Sequence, residues 1–189
     1  MTFPKIWFLR HGETEWNAER RIQGQLESRL TERGEDHARQ QAKIIAPILE
    51  THPPCFVSPL GRAQQTAQIL SDTMPFVTDP RLAEAHAGDW QGRRLDDLQQ
   101  EHPDLANHNF LDLYLSAPNG ERFDGFRARI ETFLQHLSAP SVVVAHGLLG
   151  QVLRGVTMGL DREQMGQLSN EQGCVYVLEN GTETVLTAP

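Results

Sequence analysis

The sequence predicts an α/β fold, a three-layer α/β/α sandwich on a mostly parallel central sheet with an antiparallel edge strand. Three observations lead there. Short apolar runs alternate with longer amphipathic stretches over residues 6–158, a pattern that suits parallel strands joined by helices. Three of the runs stop abruptly at polar segments, Arg10-His11, Ser58-Pro59 and His146-Gly147. The chain then finishes with two apolar runs around Asn180-Gly181, a dipeptide suited to a tight hairpin turn.

Residues 6–9 read as a buried strand, and the polar segment 10–30, with Gly12 and Gly24, as a loop with room for a short helix. Thr31 reads as an N-cap, because Ala38, Ala42, Ile45 and Leu49 follow at helical spacing; Pro53-Pro54 stops that helix. Residues 55–57 form a second strand, 63–71 a helix, and a third strand falls near Phe76-Val77. Residues 79–121 hold Gly88, Gly92 and two amphipathic stretches, near 95–98 and 110–115, and read as a helical excursion off the sheet. Phe123, Phe126, Ile130, Phe133, Leu134 and Leu137 mark a long amphipathic helix. A β-branched strand at 141–145 and a helix at 148–158 precede the hairpin. No internal repeat or linker divides the chain, so 1–189 is expected to form one domain.

Composition narrows the possibilities. Hydrophobic residues make up 39% and charged residues 22%, which fits neither a disordered nor a membrane-embedded chain. The longest apolar stretch, 141–160, is interrupted by His146 and Arg154. The apolar run near the N-terminus is too short for a signal peptide and only two cysteines occur, Cys55 and Cys174, so a cytoplasmic address is expected. The net charge of −8 argues against nucleic acid as a partner. Among the 17 cations, Lys5 and Lys43 are the only lysines. Arginine's planar fork grips phosphate or carboxylate at two points, which lysine cannot do.

In open α/β sheets, ligands sit outside the carboxyl ends of the strands. Parallel pairing would bring Arg10-His11, Arg62 and His146-Gly147 to one rim. Two imidazoles and two guanidiniums in one pocket repel by about 1 kcal/mol per close charged pair unless an anion fills it. A phosphoryl group suits that demand, since each oxygen accepts from a fork or a ring N–H. Gly12 and Gly147, directly after the histidines, would let backbone approach the ligand. Asn17 and Gln23 either donate further amide hydrogens or fix the loop. A neutral imidazole can attack phosphorus while a guanidinium cannot, so one histidine is a candidate nucleophile and the other a donor to the phosphoryl oxygens. Glu84, following the third strand, is the candidate acid for the departing alkoxide, with a bound phosphate beside it favouring its protonated form. Arginines repel a dication, so no metal is expected. No glycine-rich nucleotide loop points to another cofactor.

These residues carry a family resemblance. Leu9-Arg10-His11-Gly12-Glu13-Thr14 resembles the signature of the histidine phosphatase superfamily, which includes cofactor-dependent phosphoglycerate mutase. The likeness continues through Trp16-Asn17, Gln23-Gly24, Leu30-Thr31, Gly34 and Gln41-Ala42. It resumes at Ser58-Pro59-Leu60-Gly61-Arg62-Ala63, at Glu84 with Gly88-Asp89-Trp90-Gln91-Gly92, at Pro118-Asn119-Gly120-Glu121 and at Val142 to Gly147. The resemblance implies a phosphoglycerate mutase-like fold, His11 as the phosphorylated nucleophile, and Glu84 as proton donor. It also implies a phosphate pocket of Arg10, Arg62, His11 and His146, with Asn17, Gln23, Gly24 and Gly147 around it and the 79–121 excursion above. Three segments depart from the family pattern: Ala145 stands where Ser or Thr is usual, Glu27-Ser28-Arg29 where Asp-Ser-Pro is common, and Arg122 where Ser is frequent.

Within that family the mutases carry a long insertion with Tyr, Lys and Arg residues that hold a substrate carboxylate. Here the segment between Glu84 and Gly120 has no lysine and one tyrosine, Tyr114; Arg93 and Arg94 could supply one anion contact. The expected activity is therefore a metal-independent phosphomonoesterase acting on small phosphorylated metabolites. The alternatives are a phosphoglycerate mutase, an alpha-ribazole phosphatase, which the 84–92 and 118–121 segments resemble, and an inactive phosphate-binding module.

Overall fold

The computed structural model describes residues 3–188. The strands are β1 (Ile6–Arg10), β2 (Cys55–Val57), β3 (Val77–Thr78), β4 (Ser141–Ala145), β5 (Val175–Glu179) and β6 (Thr182–Leu186). The helices are α1 (Glu15–Ala18), α2 (Glu32–Leu49), α3 (Gly61–Leu70), α4 (Leu95–Glu101), α5 (Phe110–Leu115), α6 (Phe123–His136), α7 (Gly147–Met158) and α8 (Arg162–Gln167). The strands form one sheet in the order β3-β2-β4-β1-β5-β6. The four strands from β3 to β1 run parallel, and β5 and β6 add the antiparallel edge.

The period-2 alternation of the central strands sorts their side chains onto two faces. Val142 and Val144 of β4, with Leu9 and Val57, pack against Ile45, Leu49, Ala63 and Ala67 of α2 and α3. Val143 and Ala145, with Ile6 and Phe8, pack against α6 and α7 through Phe126, Ile130, Leu149 and Val152. With helices on both faces, β4 is buried at all five positions, so its run reads as continuously apolar.

Local chemistry sets most boundaries. The Thr31 hydroxyl caps α2 by accepting from the Gly34 amide at 3.0 Å. That helix continues through Pro47 and ends at Leu49, a few residues before the expected Pro53-Pro54 stop. Strand β3 lies one residue later than expected, paired with Phe56 and Val57. Helix α8 had no counterpart in the sequence expectations; its signal is the capping box of Asp161 and Gln164. Residues 79–121 leave the sheet as short 3-10 turns plus α4 and α5, anchored by Leu82, Trp90, Leu98 and Leu111 on the α6–α7 face.

Pairing places Arg10 opposite Ala145 and Val57 opposite Val144. The ladder runs one step further, with His11 N–H donating to Ala145 O and Ser58 N–H to Val144 O, both at 3.0 Å. His11, Ser58 and His146 therefore leave the sheet at one edge. Gly12 serves a different purpose from the one expected. A Cβ there would lie 2.0 Å from Gly34 O, and one on Gly34 would lie 2.0 Å from Glu13 O. The loop after β1 and the first turn of α2 cross backbone to backbone, so both glycines make room for protein. Gly34→Ala is expected to destabilise the fold by about 3 kcal/mol, read as a lowered urea midpoint; an unchanged midpoint would contradict the crossing.

Candidate active site

The strand ends surround a cavity of about 80 Å³ lined by Arg10, His11, Asn17, Arg21, Gln23, Arg62, Glu84, Phe110, Tyr114, Gly147, Leu148 and Asn170. His146 lies beneath it, fully buried, with its ring centroid 5.2 Å from that of His11 in an edge-on arrangement. The two histidines and two arginines expected at one rim are thus together.

His11 is held by a tautomer-defining contact. Its Nδ1 lies 2.7 Å from Gly12 O. A carbonyl oxygen only accepts, so Nδ1 carries the proton and Nε2 keeps its lone pair. Arg62 Nε–H points at that lone pair from 3.2 Å. Burial, then Arg62 and Arg10, hold the His11 pKa well below its ordinary 6.5. His146 is shifted the same way, by burial first and then by Arg62, His11 and Arg10. Both rings are neutral at pH 7.

The cations are fixed largely by backbone. Arg62 Nη2 donates to Gly24 O at 2.8 Å and Nη1 to Leu26 O at 3.0 Å. Gly24 does not line the cavity; it holds Arg62 through its carbonyl and donates its amide to the Tyr114 hydroxyl. Arg10 Nη1 donates to Asn170 O, and its Nε is buried without a partner. Gly147 lines the cavity and is crowded by its polar neighbours: a Cβ there would stand 3.1 Å from Asn170 Nδ2 and 3.3 Å from Arg10 Nε. Asn17 Oδ1 accepts from the Thr14 amide at 3.2 Å, closing the α1 capping box. Gln23 Oε1 accepts from the Thr14 hydroxyl at 3.1 Å, leaving its Nε2 buried and unpartnered. Both amides therefore fix the loop with their oxygens and face the cavity.

Glu84 is buried, and its carboxylate sits at the N-terminus of α7. Oε1 accepts from Ala85 N at 2.9 Å and Leu149 N at 3.0 Å, and Oε2 accepts from Leu148 N at 3.0 Å. Oε1 has both lone pairs engaged, so Oε2 is the oxygen free to carry a proton. Its loop is tied down by Arg129, which donates to the Arg81 and Glu84 carbonyls and pairs with Glu121 at 2.8 Å.

The departures from the family pattern find physical explanations. Glu27 accepts the Gly61 amide at 3.0 and 3.1 Å, supplying the side-chain cap that Leu60 cannot give α3. Arg122 donates to Leu115 O at 3.2 Å. Ala145 is fully buried against the α6–α7 face, so the missing hydroxyl leaves an apolar packing position. Arg93 pairs with Glu101 at 2.5 Å and Arg94 with Asp96 at 3.7 Å. Neither lines the cavity, which removes the anion contact they were expected to offer.

Arg21, Phe110, Tyr114, Leu148 and Asn170 were not expected at the site. Phe110 had registered only as part of an amphipathic stretch, yet it is 43% exposed at the cavity. Asn170 and Arg21 belong to loops with no periodic signal, and nothing in their spacing would have found them.

The neutral histidines predict a pH dependence. In the unfolded chain both titrate near 6.5, so below that pH the unfolded state binds protons that the folded state excludes. Stability is then full above about pH 6.5 and declines below it, by about 1.4 kcal/mol per pH unit for each histidine. Urea midpoints between pH 8 and 5 in phosphate-free buffer measure this; an equal slope in a His11→Ala/His146→Ala variant would exclude the cause.

The family model described as histidine phosphatase superfamily (branch 1) matches residues 6–186. The chain is 36% identical over 167 residues to the probable phosphoglycerate mutase GpmB of Enterobacter sp. (strain 638), covering 82% of this chain and 75% of that protein. Among solved structures it resembles the alpha-ribazole phosphatase from Shigella flexneri, with a TM-score of 0.78 at 28% identity over 97% of this chain and 95% of that one. It also resembles the mycobacterial glucosyl-3-phosphoglycerate phosphatase in complex with VO3, with a TM-score of 0.80 at 27% identity over 98% and 100% of the two chains. With nearly its whole length matched and the motif residues gathered around one cavity, the chain belongs to the histidine phosphatase superfamily.

Proposed function

We propose that the protein is a phosphomonoesterase that hydrolyses small phosphorylated metabolites through a phosphohistidine, with no metal. The observation that carries this reading is the His11 tautomer. The Gly12 carbonyl accepts a hydrogen bond from Nδ1–H, so a neutral Nε2 lone pair faces a cavity whose surroundings hold three buried, unpartnered nitrogens: the donors Arg10 Nε and Gln23 Nε2, and His146 Nδ1. A tetrahedral oxyanion satisfies all three, and Arg62 Nε turns from the ring nitrogen to a phosphoryl oxygen as the group enters.

The lone pair of Nε2 attacks phosphorus, and the bond to the ester oxygen breaks. The departing alkoxide takes the proton from Glu84 Oε2. Water then attacks the phosphohistidine, Glu84 accepts its proton, and the P–N bond breaks to release inorganic phosphate. The arginine forks and the His146 N–H hold the phosphoryl oxygens throughout.

The phosphatases among the structural neighbours support hydrolysis, while the curated relatives bear the mutase name. The placement of Arg93 and Arg94, each on its own carboxylate outside the cavity, favours hydrolysis, because the further arginine that lines the cavity, Arg21, is itself engaged by Glu19 and the Gly92 carbonyl. Purified protein is expected to release phosphate from aryl phosphates in chelator and to trap an acid-labile, base-stable phosphoenzyme that His11→Ala cannot form. Full turnover by that variant would refute the reading. Faster interconversion of 2- and 3-phosphoglycerate than phosphate release would identify a mutase, and binding of vanadate without any turnover an inert module.

The proton donor has a separate test. Glu84→Gln is expected to slow phosphoryl transfer to His11, followed in a single turnover as release of the leaving group, by about 10²–10⁴-fold from alkyl phosphates but far less from p-nitrophenyl phosphate, whose leaving group departs without protonation. Equal losses on both would remove Glu84 from the role.

A further inference from the structure

The two buried imidazoles are held by different partners. His146 Nε2 lies 2.6 Å from Ser58 Oγ, and both residues are fully buried. Two arrangements fit that distance: the hydroxyl donates to a bare Nε2, or Nε2–H donates to the hydroxyl. The surroundings of Ser58 select the first. Its oxygen already accepts the Leu60 amide at 3.3 Å, so the hydroxyl proton is the group in need of a partner, and the imidazole lone pair supplies one. At the far side of the ring, Nδ1 is buried with no partner in the protein. It belongs with Arg10 Nε and Gln23 Nε2, the other unpartnered donors of the site. A bare nitrogen there would offer an anion nothing; an N–H offers it a hydrogen bond.

We propose that Ser58 is a positioning residue, whose hydroxyl donates to His146 Nε2 and thereby keeps the ring's proton on Nδ1 for an oxygen of the transferring phosphoryl group. The proposal rests on the phosphohistidine reading above. His11 shows the opposite assignment, with its proton turned to Gly12 O and its lone pair free at Nε2. One ring thus supplies the lone pair that attacks, and the other the proton that binds. Neither adds charge to a cavity that already holds Arg10 and Arg62. Beyond its contact with the Leu60 amide, the Ser58 hydroxyl meets only the imidazole in this scheme and acts through it.

Without the hydroxyl, the two neutral tautomers of His146 become comparable in energy, and the lone pair spends much of its time facing the phosphoryl oxygens. Ser58→Ala is therefore expected to lower kcat on an aryl phosphate by about tenfold to a hundredfold, with KM within about threefold, and Ser58→Thr to recover most of the loss. The tautomer itself is read directly. In histidine-labelled, unliganded protein at neutral pH, ¹⁵N–¹H correlation should show His146 protonated at Nδ1 and bare at Nε2, with both signals moving toward averaged values in Ser58→Ala. A protonated Nε2 in the unmodified protein overturns the proposal, and this result does not depend on any esterase activity. A double-mutant cycle adds a second test. Asparagine at 146 carries an amide donor near the place of Nδ1 and has no ring tautomer to fix. Combining His146→Asn with Ser58→Ala should lower kcat no further than His146→Asn alone; additive losses would mean that Ser58 acts by some route other than His146, and would equally overturn the proposal.

Discussion

The parallel pairing of β1 with β4 is the constraint on which the site depends. Arg10 stands opposite Ala145, and the next amide, His11 N–H, still bonds to Ala145 O. Two histidines distant in sequence consequently meet with their rings 5.2 Å apart. A slip of one residue would reverse the facing of each side chain on β1. It would carry Phe8 and Leu9 out of the separate cores they fill on opposite faces, so the packing that stabilises the sheet also fixes the geometry of the site.

A cavity lined by two buried guanidiniums needs compensation. Arg62 rests on the Gly24 and Leu26 carbonyls and Arg10 on the Asn170 carbonyl, and the Glu84 charge is the one that most favours the charged form of both. Glu84 is itself held by amides at the start of α7, where the helix dipole favours negative charge. Two neutral histidines keep the total charge down while supplying polar atoms. Backbone oxygens orient the forks without neutralising them, which leaves the arginines able to bind an incoming anion.

Much of this was legible in the sequence. The apolar runs at β1, β2 and β4, the helical spacing after Thr31 and the Asn180-Gly181 turn sufficed for the sheet and its antiparallel edge, because periodicity reports burial directly. Strand ends marked by Arg10-His11 and His146 pointed to the rim, since polar residues directly after a buried strand have a limited set of places to go. What escaped was set by single contacts between distant loops. The reason for Gly12 is a crossing with Gly34, Arg21 and Asn170 reach the cavity from irregular segments, and Arg93 and Arg94 turn away to Glu101 and Asp96. Helix α8 is six residues long, too brief for a periodic signal.

The excursion over residues 79–121 supplies Glu84, Phe110 and Tyr114 to the cavity, whereas Arg10, His11, Arg62 and Gly147 come from the ends of the sheet and the helices that follow them. In the proposed reaction, the groups that hold phosphorus come from the sheet ends, while the excursion carries the proton carrier Glu84 together with the wall that meets the rest of the molecule. Drift in the excursion beyond the Glu84 loop can then retune which esters are accepted while the transfer chemistry stays intact, so diversification among such proteins has a physical route that leaves the core untouched.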